Sequence, residues 1–196
     1  MVKFLESFWR ICYLEMHNIS VVELIAGILA VALFVHIFVV IYVRVKGEPI
    51  SFSTEVLIIL LISYIVFIGE TTILSRAAGS QKRVFDTKHL WIDAKMDQNM
   101  TNLLNIVLFI PYGALLTAIR DKRTLANRVI MTIVYCFLTS MFVECVQYVT
   151  ARGYFEVDDL EANVLGGLIG SMFVCICNLI SRKWEVGKGI KSEDSL

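Results

Sequence analysis

The sequence predicts an all-α integral membrane protein, a bundle of about five transmembrane helices preceded by an amphipathic N-terminal helix. The first observation is composition. Of the 196 residues, 57% are hydrophobic and the mean hydropathy is +0.71, whereas soluble domains are about 45–50% apolar. The second observation is that the excess lies in runs long enough to cross a bilayer, which takes about 20 mainly apolar residues.

Five such runs follow one another along the chain, separated by polar connections. They cover residues 21–43, 55–75, 102–119, 129–149 and 162–181. We therefore expect one transmembrane domain over residues 21–181, an amphipathic segment at 1–20 and a basic, polar tail at 182–196. In the N-terminal segment Lys3, Glu6 and Arg10 share roughly one helical face, a pattern typical of a helix that lies on the membrane surface.

Several classes of protein are disfavoured by the residues present. The formal net charge is zero, so nothing favours nucleic acid as a partner. The sequence contains no Walker or G-x-G-x-x-G motif, and no cofactor is expected. The five cysteines form no C-x-x-C pair, so we expect them to pack as small apolar residues and predict no metal site from them.

Basic residues predict the orientation of the bundle. Alternate connections lie on the same side of a membrane, and the side richer in lysine and arginine near the helix ends faces the cytoplasm. Here basic residues crowd the helix ends at 44–46, 120–128 and 182–191. The prediction is a multi-pass protein of the cell membrane, with its N-terminus outside and its C-terminus in the cytoplasm.

Polar side chains of four predicted helices converge on the outer side. In chain order they are Glu70, Thr71, Thr72, Arg76, Asn102, Asn105, Glu144, Gln147, Asp158, Asp159 and Asn163. Asn102 and Asn105 are three residues apart, as are Glu144 and Gln147, so each pair shares a helical face. A charge at the centre of a bilayer costs about 2.5–3.5 kcal/mol on insertion scales, so the acids among them need partners or water.

Two features predict how the helices pack near this side. Ala162, Gly166 and Gly170 are four residues apart, and such a run of small residues lets another helix approach closely. Pro111 lies inside the third predicted helix and leaves the carbonyl of Val107 without its usual backbone partner, so we expect a kink there.

These residues predict a shallow polar basin that opens outward. Its expected lining is Asn102, Asn105, Glu144, Gln147 and Asn163, with Arg76, Arg152, Asp158 and Asp159 at its rim. The two arginines suit an anionic group. Glu144 and Asp159 are candidates for a general acid/base pair or for binding a divalent cation. The amides equally suit a hydrogen-bond network that only fixes helix packing.

Two stretches resemble the VanZ-like family of bacterial membrane proteins. They are NLLNIVLFIPYGALL, residues 102–116, and ECVQYVTARGYFEVDDLEANVLGGLIG, residues 144–170. In that family an Asn-rich helix start leads into F-x-P-x-G-x-L-L, followed by E-x-x-Q, an arginine and D-x-x-x-N-x-x-G. Thr72 and Arg76 resemble the family's T-x-x-x-R, whereas an Asn-Leu-x-Pro-Phe element often found after it is absent here.

The resemblance implies a plasma-membrane protein of a Gram-positive-type bacterium, from a family linked to low-level resistance to the glycopeptide teicoplanin. We expect it to bind or modify an amphiphilic cell-envelope component or a lipoglycopeptide at the outer leaflet. The bilayer and a lipid or lipid-linked ligand are the expected partners. Whether a reaction is catalysed and what the oligomeric state is stay open. So do two alternatives, a small transporter or ion pathway and a non-catalytic structural membrane subunit.

Overall fold

The computed structural model describes residues 21–47, 49–87, 96–120 and 123–193. The helices are α1 (Val21–Lys46), α2 (Phe52–Gly69), α3 (Met96–Ile119), α4 (Leu125–Thr150) and α5 (Val157–Glu193). A π-helical turn, Glu70–Leu74, extends α2. Two short strands, β1 (Phe85–Asp86) and β2 (Phe155–Glu156), pair in parallel. The predicted amphipathic segment at 1–20 lies outside the described residues.

The predicted all-α bundle with five membrane spans is confirmed. Each helix contains a segment long and apolar enough to cross a membrane, and these segments are Ile25–Lys46, Phe52–Leu74, Met100–Ile119, Leu125–Thr150 and Val157–Ser181. The last helix continues to Glu193, so the predicted polar tail begins as an extension of α5. We call the end of the bundle where α2 finishes and α5 begins the acidic end, and the opposite end the basic end.

The core lies among α2, α3 and α4, and α3 packs tightly against α5. Ile68, Phe109, Tyr112, Cys136 and Val143 form its buried apolar cluster. Along the α3–α5 contact the two backbones nearly touch, because glycines replace larger side chains there.

Two glycines of α5 show how close this approach is. A Cβ added to Gly166 would collide with the carbonyl oxygen of Ile106, and one added to Gly170 would collide with that of Ile110. The predicted face for close helix approach is therefore confirmed, and α3 is the helix that uses it.

The segment around Pro111 is helical on both sides of the proline, and the expected kink stays a prediction. The hydroxyl of Tyr64 in α2 donates a hydrogen bond to the carbonyl oxygen of Leu108, 2.7 Å away. The preceding carbonyl along the chain, that of Val107, lacks its usual backbone donor because Pro111 has no N–H. The bond ties α2 to α3 at the level where the proline lies.

The connection that follows α2 is attached to the hairpin between α4 and α5. Ala151 ends α4 in the left-handed conformation, with φ of 51°. The backbone N–H of Gly79 donates to the carbonyl of Thr150 at 3.0 Å, and that of Gln81 donates to the carbonyl of Ala151 at 2.9 Å. Further along, Phe85 and Phe155 stack with ring centroids 4.5 Å apart. These contacts place two separate loops together over the acidic end.

Candidate functional site

A cavity of about 330 Å³ lies at the acidic end, between α2, its π-helical turn, α3, α4 and α5. Its apolar lining is Tyr64, Phe67, Leu104, Val107, Leu108, Phe109, Pro111 and Val143. Its polar lining is Thr71, Thr72, Arg76, Thr101, Asn105, Glu144, Gln147, Asp159 and Asn163. The polar residues come mainly from the helix ends, so the cavity is polar near the membrane surface and apolar deeper in the bundle.

One lining residue, Glu144, belongs to a polar stripe that runs along α4. Arg128, Thr132, Cys136, Ser140 and Glu144 follow one another at intervals of four residues, and each is buried. Residues four apart share one helical face, so the stripe faces the other helices and not the lipid. The sequence contains this spacing, but the bulky apolar residues between its members conceal it, and the predicted basin includes only Glu144 from it.

The carboxylate of Glu144 is held in a fixed orientation. The residue is only 2% exposed, and its Oε2 accepts a hydrogen bond from the backbone N–H of Glu156 at 3.0 Å. Glu156 lies in β2, which pairs with β1. Strand pairing therefore positions the main-chain donor that orients the carboxylate beside the cavity.

Three more carboxyl groups lie next to this bond. One carboxylate oxygen from each of Glu156, Asp158 and Asp159 lies within 4.8 Å of the other two. Burial raises the pKa of the Glu156 carboxyl and the charge of Asp158 raises it further, while a hydrogen bond with Asp159 acts in the opposite direction. Carboxyl groups this close can share a proton or hold a divalent cation. The cluster can therefore hold a shared proton or a divalent cation beside the cavity, which Asp159 lines.

The amide of Asn163 has spare hydrogen-bonding capacity. Its Nδ2 donates to Ser140 Oγ at 2.8 Å, and its buried Oδ1 has no hydrogen-bond partner among the described residues. Whichever way the amide is turned, one terminal atom is left over. An unmet buried polar group costs about 1–3 kcal/mol, and the residue that carries this one lines the cavity.

The two asparagines at the start of α3 take different positions. Asn105 lines the cavity, whereas Asn102 is buried outside its lining and donates through Nδ2 to Asp158 Oδ2 at 3.3 Å. Asp158 is itself only 2% exposed. Asp158, expected at the rim of the basin, is instead buried outside the cavity lining, because the first turn of α5 packs against the start of α3.

The two predicted arginines also separate. Arg76 lines the cavity, and its Nη1 lies close to Gly153, where an added Cβ would come within 3.2 Å of it. The guanidinium of Arg152 instead donates through Nη1 to the carbonyl oxygen of Ile73 at 2.8 Å. It therefore supports the wall formed by the π-helical turn and is not among the cavity-lining residues.

That π-helical turn shapes the cavity wall. Carbonyl groups in the last turn of a helix lack partners within the helix, and Gln147 Nε2 donates to one of them, the oxygen of Thr72, at 2.8 Å. Irregular turns of this type frequently occur at functional sites. Glu70, at the start of the turn, is exposed and does not line the cavity.

The predicted site residues thus fall into two groups. The cavity brings together Arg76, Asn105, Glu144, Gln147, Asp159 and Asn163. Asn102, Arg152 and Asp158 lie outside its lining and bond to each other or to the cavity wall. Their roles in binding or catalysis stay predictions. Glu156 was not predicted, since a backbone donor that strand pairing brings into place leaves no signal in the side chains.

A comparison with protein families agrees with the sequence motifs. The family model described as VanZ/LLP1 matches residues 28–178, a range that includes every residue lining the cavity. No curated protein and no solved structure matches the chain.

Proposed function

Because the chain belongs to the VanZ/LLP1 family, we propose that it binds or modifies an amphiphilic component of the cell envelope, or a lipoglycopeptide, in the cavity at the acidic end. On this proposal the acidic end faces the outer leaflet, and binding there gives low-level resistance to teicoplanin. The observation that carries the proposal is the division of one cavity into a charged, amide-rich part and an apolar part.

The apolar part supports an acyl chain as the deeper portion of the ligand. Tyr64, Phe67 and Leu108 line the cavity along the contact between α2 and α3. Val107 also lines it and is 46% exposed, so the wall extends to the outer surface of the bundle, which faces lipid in a membrane. An amphiphile could therefore enter sideways from the bilayer without passing through water.

The polar part supports an anionic or hydrogen-bonding head group. Arg76 provides a guanidinium for charge-assisted hydrogen bonds to phosphate or carboxylate. Asn163 provides a buried amide atom without a protein partner among the described residues. If the ligand is modified, Glu144 and Asp159 are the acid/base pair, since both line the cavity and interact electrostatically.

Neutral substitutions of the two acids test the proposal. We expect Glu144→Gln and Asp159→Asn, at normal abundance in the membrane, to increase susceptibility to teicoplanin or to alter the envelope-lipid profile. Losing a hydrogen bond to a charged group lowers affinity about ten-fold or more. Glu70→Gln is the matched control, because Glu70 is an exposed carboxylate at the same end outside the cavity. Susceptibility and lipid profile unchanged in both acid variants would overturn the proposal.

The polar stripe of α4 favours an ion pathway as a second candidate. Closer to the basic end than Asn163 and Ser140, Thr117 Oγ1 hydrogen-bonds to Thr132 Oγ1 at 2.9 Å and to Ser171 Oγ at 2.8 Å. Between these groups, however, Cys136 packs so tightly that a Cβ on Gly167 would collide with its Sγ. The path is therefore closed here. Proton or cation flux into vesicles reconstituted with the protein, reduced by Thr132→Val, would favour this candidate.

A further inference from the structure

A second cavity lies at the basic end of the bundle and shares no lining residue with the first. It has a volume of about 610 Å³ and lies between the start of α2, the end of α3 and the middle of α5. Its polar lining is Ser51, Ser53, Thr54, Arg120, Arg123 and Asn178. Along α2 the lining of the first cavity begins at Tyr64 and that of the second ends at Leu57, so roughly 10 Å of helix separates the two linings at about 1.5 Å per residue.

The guanidinium of Arg120 is fixed in place but not saturated. Its Nη2 donates to Asn127 Oδ1 at 3.1 Å, and its Cζ lies 5.9 Å from the centre of the Tyr135 ring. Its Nε is buried and has no hydrogen-bond partner among the described residues. Arg120 lines the cavity, and a guanidinium with an unpaired N–H is suited to an anionic acceptor.

A second arginine is brought to the same cavity by the turn that follows α3. The backbone N–H of Arg123 donates to the carbonyl oxygen of Arg120 at 2.9 Å, and both side chains line the cavity. No acidic side chain lines it among the described residues. Glu55, the nearest acid along α2, bonds to Nδ1 of His36 at 2.6 Å. The described lining therefore carries positive charge that no lining carboxylate offsets.

Hydroxyl groups complete the polar wall opposite the arginines. Ser51 caps α2, where its Oγ accepts from the backbone N–H of Thr54 at 3.2 Å and lies 2.8 Å from Thr54 Oγ1. Ser53 lies between them on the first turn. Arginine forks together with hydroxyl donors are the groups that recognise the oxygens of a phosphate.

We propose that this cavity binds a phosphate group, carried either by the head group of an anionic phospholipid or by a soluble phosphate compound. Basic pockets between transmembrane helices are a recurrent type of site for acidic head groups. This site is separate from the one proposed for the amphiphile at the acidic end, since the two cavities share no lining residue.

Lipid retention by the purified full-length protein tests the proposal. Native mass spectrometry after extraction from membranes containing phosphatidylglycerol and phosphatidylcholine is expected to show retained phosphatidylglycerol. Arg120→Gln and Arg123→Gln should each reduce the retained amount about ten-fold. The matched control is Arg44→Gln, because Arg44 is an exposed arginine at the same end that does not line the cavity. Arg123 is exposed as well, so its substitution leaves folding intact and keeps the test valid.

A second arm separates the two sources of phosphate. Inorganic phosphate, compared with chloride at equal ionic strength, should raise the Tm of the wild type and not that of Arg123→Gln. If phosphatidylglycerol is not retained but this rise is seen, the site holds and its ligand is a soluble phosphate. If neither is seen, or if Arg44→Gln loses as much phosphatidylglycerol as Arg123→Gln, the proposal is overturned.

Discussion

In an 18-residue stretch of the α1 and α2 spans, 6% of the residues are buried within the protein, against 39% for α3 and 28% each for α4 and α5. The two groups also differ in hydropathy, since the spans of α1 and α2 are each more apolar than any of the other three. Apolar composition therefore marks a span, and the most apolar spans are the ones that the rest of the protein buries least. In a bilayer, burial between helices follows small and polar residues, since lipid is as apolar as leucine.

The functional consequence concerns the place of the acidic-end cavity. It lies where the loosely packed α2 meets the tightly packed set of α3, α4 and α5. The tightly packed helices supply the acids and amides, Glu144, Asp159 and Asn163 among them, and hold them in fixed positions. The loosely packed helix supplies an apolar wall. Regions with few buried contacts open at low free-energy cost, so we expect the seam between α2 and α3 to admit the ligand.

The largest expected effect comes from filling the contact between α3 and α5. In Gly166→Leu the new side chain would collide with the backbone of Ile106, and a backbone cannot move aside as a side chain can. We expect destabilisation of about 3 kcal/mol or more. Gly27→Leu in α1 is the matched control, because a Cβ there meets nothing within 4 Å. Thermal unfolding in detergent measures both, and equal losses would show that the two groups of helices do not differ.

A smaller loss of stability is expected from a substitution at the basic end of the polar stripe of α4, where Arg128 lies. Arg128 is fully buried, and its Nε donates to the carbonyl oxygen of Thr117 at 3.2 Å. Arg128→Ala removes this charged donor and leaves a cavity, which should cost about 2–3 kcal/mol. Arg44→Ala at an exposed position of α1 should change stability by less than about 0.5 kcal/mol. A stable Arg128→Ala protein would mean that the stripe does not hold the core together.

The sequence was sufficient for features that depend on composition and regular spacing. Runs of apolar residues located all five spans, and the spacing of Ala162, Gly166 and Gly170 located the face for close packing. Convergence of polar residues at one end correctly placed Glu144 and Asn163 together. These features are local, since each depends only on which residues share a helix face or a helix end.

The remaining features depend on contacts between distant segments. Arg152 turns to the carbonyl oxygen of Ile73, and Asp158 turns inward to Asn102, because of how the helices pack. The sequence offers no periodicity for the pairing of β1 with β2, as each strand has two residues. The backbone donor of Glu156 was therefore invisible, although it orients the carboxylate on which the proposed site depends.

The seam between the two groups of helices can be loosened by removing one atom. Tyr64→Phe deletes the hydroxyl that donates to Leu108, and a bond of this type contributes about 1 kcal/mol. The same substitution at Tyr42 of α1, which is 36% exposed, serves as the control and should have little effect. We also expect Tyr64→Phe to speed ligand exchange at the acidic end, measured as the off-rate of a fluorescent lipoglycopeptide. An unchanged off-rate would place the entrance elsewhere.

The smallest effect concerns the carboxyl groups that the tightly packed helices hold at their acidic end. Burial, together with Asp158 and Asp86, raises the pKa of Glu156, against the opposing effects of Asp159 and Arg76. The folded protein therefore binds this proton more tightly than the unfolded chain does. The contribution of protonated Glu156 to the stability of the fold is complete below the ordinary pKa of 4.5. It is lost as the pH rises through the raised pKa.

Glu156→Gln isolates this contribution, because the amide stays neutral at every pH while its backbone N–H still donates to Glu144. Wild-type Tm should fall relative to that of Glu156→Gln as the pH rises from about 4.5 toward neutrality. Partial exposure of Glu156 lets solvent screen the charges, so the difference should be small. Parallel Tm profiles would mean that neighbouring groups already compensate the Glu156 charge. The acidic end would then carry no electrostatic cost from this residue.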